Sequence, residues 1–158
     1  RRRGTVEKAW FAAERVRGAV EIRSLWRDLG EAELRRLLAV LAREIRIAHD
    51  AGLLHRDLSD GNILVGREPD GSFVLHYLDT NRVRRGRRLG ERAKAKNLIR
   101  LGIPESLRHE FLAFYAGADG PKPAFVRRYE RAKAGFERWL RFKKRARLRK
   151  WARRLKLQ

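Results

Sequence analysis

The sequence predicts an α+β fold, mainly helical with one small β-hairpin, and three observations carry that reading. From Glu31 to Asp50 the residues Leu34, Leu37, Leu38, Leu41, Ile45 and Ala48 recur every three or four positions, the stripe of an amphipathic helix. Ile63-Leu64-Val65 and Phe73 to Leu78 are short apolar runs on either side of Gly66 to Ser72, where Pro69-Asp70-Gly71 marks a turn, so they form a hairpin. Downstream, Arg92 to Leu101, Glu105 to Tyr115 and Ala124 to about Leu155 all have helical spacing. A chain of 158 residues, 43% of them hydrophobic, suffices for one core and one domain.

The remaining segments fill in around these. Lys8 to Val16 (KAWFAAERV) reads as a strand, and Arg17-Gly18-Ala19 as the chain reversal that follows it. Glu31 and Glu33 suit the positive N-terminal end of the first long helix, and Gly52 its stop. On the last helix Ala132, Phe136, Trp139 and Leu140 read as a buried stripe. There is no internal repeat and no long linker. The chain has no Met, even at position 1, which predicts that it is a piece of a longer protein.

Composition narrows the function. With 40 Lys and Arg against 19 Asp and Glu, the formal charge of +21 favours a polyanionic partner such as nucleic acid, a phosphorylated glycan or acidic lipid. The absence of Cys excludes disulfides and thiolate metal sites, and nothing points to an oxidising compartment. No apolar run approaches the roughly 18 to 20 residues that span a bilayer, and Arg1-Arg2-Arg3-Gly4 is not followed by a signal-peptide core.

The chemistry lies in His55-Arg56-Asp57-Leu58-Ser59-Asp60-Gly61-Asn62, in the loop between the long helix and the hairpin. Phosphoryl transfer needs a carboxylate to orient the attacking hydroxyl and oxygen ligands to hold magnesium against the phosphates. Asp57 fits the first role. Asn62, five residues on, and Asp79, at the end of the second hairpin strand, fit the second, because a hairpin that folds back brings them together. Taken singly, Asp57 and Asn62 are common turn residues; their joint spacing is what favours chemistry. Ser59 and Asp60 read as loop filling before substrate contact, His55 as scaffold, and His49, His76 and His109 have no partner at metal-ligand spacing.

His-Arg-Asp with Asn five residues after the Asp resembles the catalytic loop of protein kinases and their bacterial relatives. Where those kinases follow the metal-binding Asp with Phe-Gly, this chain has Asp79-Thr80-Asn81-Arg82. That run, the Ser-Asp-Gly-Asn loop and the basic segment Arg92 to Leu98 together resemble the lipopolysaccharide core kinases, which phosphorylate Kdo or heptose sugars, over about residues 10 to 115. The resemblance implies a protein-kinase-like fold with a mainly helical C-terminal lobe and most of the N-terminal lobe absent. Residues 1–20 would be the remnant of the N-lobe strand and hinge, 21–140 the C-terminal lobe and 141–158 a basic amphipathic helix. It further implies ATP and Mg2+ as cofactors, Asp57 as catalytic base, Asn62 and Asp79 as metal and nucleotide ligands, and Glu14 and Val16 as the hinge that meets the adenine. Neither a glycine-rich phosphate loop nor the nucleotide-orienting Lys is found; Lys8 sits too near the proposed hinge.

Arg82 to Arg100 holds nine Lys or Arg against Glu91 alone, a surface suited to a phosphorylated glycolipid. Arg141 to Gln158 holds ten and no acid, with Leu148, Trp151, Ala152 and Leu155 at helical spacing, which suits an anionic membrane surface. The resemblance thus implies a peripheral enzyme on the cytoplasmic face of the inner membrane. Two other classes compete: a kinase of the same fold acting on protein or a small molecule, separable only by a substrate test, and a nucleic-acid-binding protein, disfavoured because aromatic residues are not interleaved with the basic ones. A non-catalytic scaffold is a further alternative for a lone lobe.

Overall fold

A computed structural model describes residues 16–155, with side chains as far as 147. The predicted strand, all but Val16, and the hinge residue Glu14 lie outside the described residues, as do the side chains of Leu148, Trp151, Ala152 and Leu155. After an approach that is exposed from Val16 to Gly18 and half-buried at Ala19, turned at Gly18 (φ 70°), come β1 (Val20–Glu21) and α1 (Ile22–Asp28), neither of them read from the sequence. They are too short to show a period.

The long helix α2 (Glu31–Asp50) has the predicted bounds. Its buried face is Leu37, Leu38, Leu41, Ala42, Ile45 and His49, while Leu34 and Ala48 are only half-buried. Truncating Leu41, which is fully buried, to Ala costs about 2–5 kcal/mol. The chain then makes β2 (Leu53–His55), the hairpin β3 (Ile63–Arg67) and β4 (Phe73–Tyr77), and β5 (Val83–Arg85). The hairpin is antiparallel, Ile63 opposite Tyr77 and Arg67 opposite Phe73, and β1 adds to its other edge in the order β1-β3-β4. β2 and β5 form a separate antiparallel pair, His55 opposite Val83. Three arginine-flanked residues give no strand signal, so this second pair was not foreseen.

The helices α3 (Glu91–Leu98), α4 (Arg108–Ala116) and α5 (Pro123–Leu155) complete the lobe. α4 lies against α2, with Phe111, Leu112 and Tyr115 in the core and Tyr115 stacked on Phe125 of α5 at 5.6 Å between centroids. α5 is continuous through residue 140 and buries Phe125, Tyr129 and Lys133. The stripe expected on it is corrected: Ala132 and Phe136 pack on the core, but Trp139 (51%) and Leu140 (44%) are exposed. By that point the helix has run past the lobe it covers, so spacing persists where there is nothing left to pack against.

Candidate active site

The end of α2 delivers the loop. Gly52 has φ 77° and a side chain there would collide with the Gly86 carbonyl, whose residue's N–H donates to the Gly52 carbonyl at 2.8 Å. That close passage starts the β2–β5 pair and places His55 at its inner end. His55 Nε2 is 2.7 Å from the Leu78 carbonyl oxygen, and its Nδ1 accepts the Asp57 N–H at 3.1 Å. Only a protonated ring nitrogen bonds a carbonyl, so the imidazole is the neutral Nε2–H tautomer. It ties the loop to the end of β4, as its reading as scaffold expected.

Asp57, Asn62 and Asp79 are brought into one cluster. Asn62 closes the helical turn Asp60–Asn62; its Nδ2 donates to the Asp57 carbonyl at 2.8 Å and its own carbonyl accepts the Leu78 N–H at 2.9 Å. The residue after Leu78 is Asp79, which is the single non-glycine with positive φ (54°) among the described residues. A β-carbon in that region costs about 1–2 kcal/mol, a strain found where geometry serves a site. The turn beyond it is closed by the Arg82 N–H on the Asp79 carbonyl at 2.9 Å.

Two guanidinium groups attend the Asp57 carboxylate: Arg100 at 2.7 Å from Oδ1 and Arg82 at 3.6 Å from Oδ2. Arg82 also lies 3.9 Å from the Asp79 carboxylate. Oδ1 is buried, yet no donor is aligned with it, because Arg100 approaches within ion-pair distance but outside hydrogen-bonding directions. The carboxylate is thus charge-compensated by two guanidinium groups.

A second layer fixes this geometry, and sequence reasoning missed it. Asn97 of α3 donates from Nδ2 to the His55 carbonyl at 2.7 Å, which orients the amide and leaves Oδ1 to accept from His49 Nε2 at 2.9 Å. His49 Nδ1 in turn accepts the Tyr115 hydroxyl at 2.7 Å. Three helices, α2, α3 and α4, are thus chained to the loop. Burial is the chief cause holding His49 below its ordinary value of 6.5 and pushing the Tyr115 hydroxyl up, so both are neutral. The signal in the sequence was the place of His49 one turn beyond Ile45 on the apolar face of α2.

Asp60 is an anchor. Trp26 Nε1 donates to its Oδ2 at 3.0 Å and the Gly102 N–H to its Oδ1 at 2.7 Å, an approach that a side chain at Gly102 would block. Lys133, buried in α5, donates to the carbonyls of Ile99 and Leu101 at 2.9 and 2.7 Å, gripping Arg100 between them; burial holds its ammonium below the usual lysine range.

As ligands for a cation, the Asn62 amide oxygen and the half-exposed Asp79 carboxylate are the available hard oxygens. Among the described residues no three His, Cys, Asp or Glu side chains group as a metal cage. Magnesium bound through nucleotide phosphates asks only one or two protein oxygens, so this pair fits it. Val16 is exposed, four residues ahead of β1.

The family model described as Lipopolysaccharide kinase (Kdo/WaaP) family matches residues 1–111. A solved structure of WaaP in complex with acyl carrier protein superposes with TM-score 0.56 at 22% identity, over 82% of this chain. This chain spans 57% of that one, and the likeness carries the fold. No curated protein matches the sequence.

Proposed function

The chain belongs to the lipopolysaccharide kinase (Kdo/WaaP) family, and from that premise we propose that it transfers the γ-phosphoryl group of ATP to a sugar hydroxyl, Kdo or heptose, of the lipopolysaccharide core. The observation that supports this most is the Asp57 carboxylate. It is held by Arg100 and Arg82 within ion-pair distance, while the Asn62 amide fixes its main-chain carbonyl and Arg82 links it to the Asp79 carboxylate.

The loop works by position and charge. Asp57 accepts the hydroxyl hydrogen and aims the oxygen in line with the phosphoryl group, taking the proton as the new P–O bond forms and the bond from the γ-phosphorus to the departing ADP oxygen breaks. His55 holds the loop against β4, and the Asn62 amide holds the Asp57 carbonyl, so the carboxylate does not reorganise during transfer. Arg100 and Arg82 place positive charge beside the transfer point, where charge spreads over the phosphoryl oxygens. Asn62 and Asp79 would hold Mg2+, which when bound neutralises the nucleotide phosphates.

The membrane supplies the substrate. Beyond Leu140 the exposed Phe142 (71%) stands among Arg141, Lys143, Lys144, Arg145 and Arg147, a helix surface suited to an anionic bilayer. No described helix is long and apolar enough to cross a membrane. The protein then acts peripherally at the cytoplasmic face of the inner membrane.

The test is phosphate transfer from radiolabelled ATP by the full-length protein, with lipopolysaccharide core, a generic protein and no acceptor in parallel. Label in the glycolipid that disappears in Asp57→Ala supports the reading; label in protein replaces it with a protein kinase, and no label refutes catalysis.

A further inference from the structure

Between α3 and α5 runs an open groove of about 1060 Å³. Arg92 and Lys96 of α3 and Arg127, Arg128 and Arg131 of α5 line it, over an apolar floor that includes Ile99, Ala132 and Phe136. Arg92 and Lys96 are four residues apart, as are Arg127 and Arg131. Like charges at that spacing destabilise a helix, so stability does not explain the pattern. Among the described residues, Glu91 at 3.9 Å from Arg128 is the carboxylate found against any of the five.

The groove is connected to the site already described. A second depression of about 480 Å³ shares Lys96, Ile99 and Phe136 with it and adds Arg56 and Arg100. Arg100 lies 2.7 Å from Asp57, so the lining is continuous from the carboxylate to the far end of the groove. That end is Trp139, stacked on Phe136 at 5.9 Å with the Lys143 ammonium 4.9 Å above its ring. Lining residues run from Ala124 to Trp139 on α5, about 20 Å of helix at 1.5 Å per residue. Lys133 couples the two parts, since the carbonyls it grips flank Arg100. The family match ends at residue 111, so α5 lies outside it.

We propose that this groove anchors phosphate groups of the acceptor lipid that lie remote from the hydroxyl being phosphorylated. The proposal rests on the reading of Asp57 as the base of a glycolipid kinase. Guanidinium forks match phosphate oxygens two at a time, and five cations call for several anionic groups. Its length exceeds one sugar, so the ligand extends well beyond the reacting residue. The apolar floor and the exposed Trp139, Leu140 and Phe142 at the outer end suit an amphiphile rooted in a membrane better than an acidic protein surface.

The experiment uses the full-length protein and the Arg127→Ser/Arg131→Ser variant, whose changed residues are exposed, with circular dichroism to show an unchanged fold. Lipopolysaccharide core acceptor in detergent micelles is offered with its phosphates and after phosphatase treatment. The variant should raise KM for the phosphorylated acceptor by about tenfold or more, leaving kcat and KM for ATP unchanged. Phosphatase treatment should raise KM for the parent likewise and abolish the difference between the two proteins. Equal KM values for parent and variant on phosphorylated acceptor overturn the proposal.

Micelle binding without ATP separates the two readings. Phosphate-dependent binding lost in the variant supports the groove even if no label is transferred, in which case the kinase reading fails alone. Normal transfer with binding indifferent to lipid phosphate refutes the groove alone. Capture of acyl carrier protein through these arginines, with lipid phosphate without effect, overturns the lipid as occupant.

Discussion

Around Asp57 the polar groups are cross-linked by partners from four elements, whereas beyond Leu140 the helix α5 carries its charges into solvent. In the first region Tyr115, His49, Asn97, His55 and Leu78 form one hydrogen-bonded chain. In the second, residues 141–147 are all exposed. The difference teaches which kind of specificity each supports. Under the proposed function phosphoryl transfer would lose rate if the Asp57 carboxylate moved by about an ångström, and the support of its loop is redundant and buried. Attraction to a charged surface falls off over a Debye length of about 8 Å and needs charge without fixed geometry.

Substitutions can break that comparison. The largest effect belongs to Asp57→Ala, which should lower kcat by about a thousandfold or more while ATP binding, measured by titration calorimetry, persists. Asp79→Ala should weaken magnesium-dependent ATP binding by at least about tenfold and leave the thermal midpoint without magnesium unchanged, because its half-exposed carboxylate holds no core contact. Unchanged turnover in either variant would remove these residues from the site.

Smaller effects sharpen it. His49→Ala leaves the buried Asn97 amide and Tyr115 hydroxyl without their partner, and should cost about 2–4 kcal/mol in urea unfolding. The same residue makes stability pH-dependent. Its folded value lies below 6.5, so as pH falls past 6.5 the unfolded chain gains a proton that the folded chain resists. Stability is therefore intact above that pH and lost below it. The urea midpoint of the parent should fall between about pH 7.5 and 5.5, and that of His49→Gln should fall less. Truncation after Leu140 should change folding stability by under about 0.5 kcal/mol but reduce binding to anionic vesicles; equal binding to anionic and neutral vesicles would end the membrane role of the tail.

Much of the local structure was legible. The α2 stripe, the Pro69-Asp70-Gly71 hairpin and the spacing of Asp57, Asn62 and Asp79 are patterns within short stretches of chain, and the structure has the helix and hairpin there and clusters the three residues. Trp139 and Leu140 were misjudged because periodicity reports a face and not whether anything covers it. The β2–β5 pair was invisible, since Arg84 and Arg85 read as loop and their partners lie some thirty residues away.

What the sequence determined by itself is therefore the local elements and the spacing of the groups proposed for the chemistry, because helix period, turn residues and loop spacing act over a few residues. Which groups hold that chemistry in place was decided only by tertiary structure. The bonds from Asn97 to His55, His49 to Asn97 and His49 to Tyr115 join residues 42, 48 and 66 positions apart. No local pattern encodes such contacts; they exist because α2, α3 and α4 bury their apolar faces together and leave these polar groups only one another to satisfy.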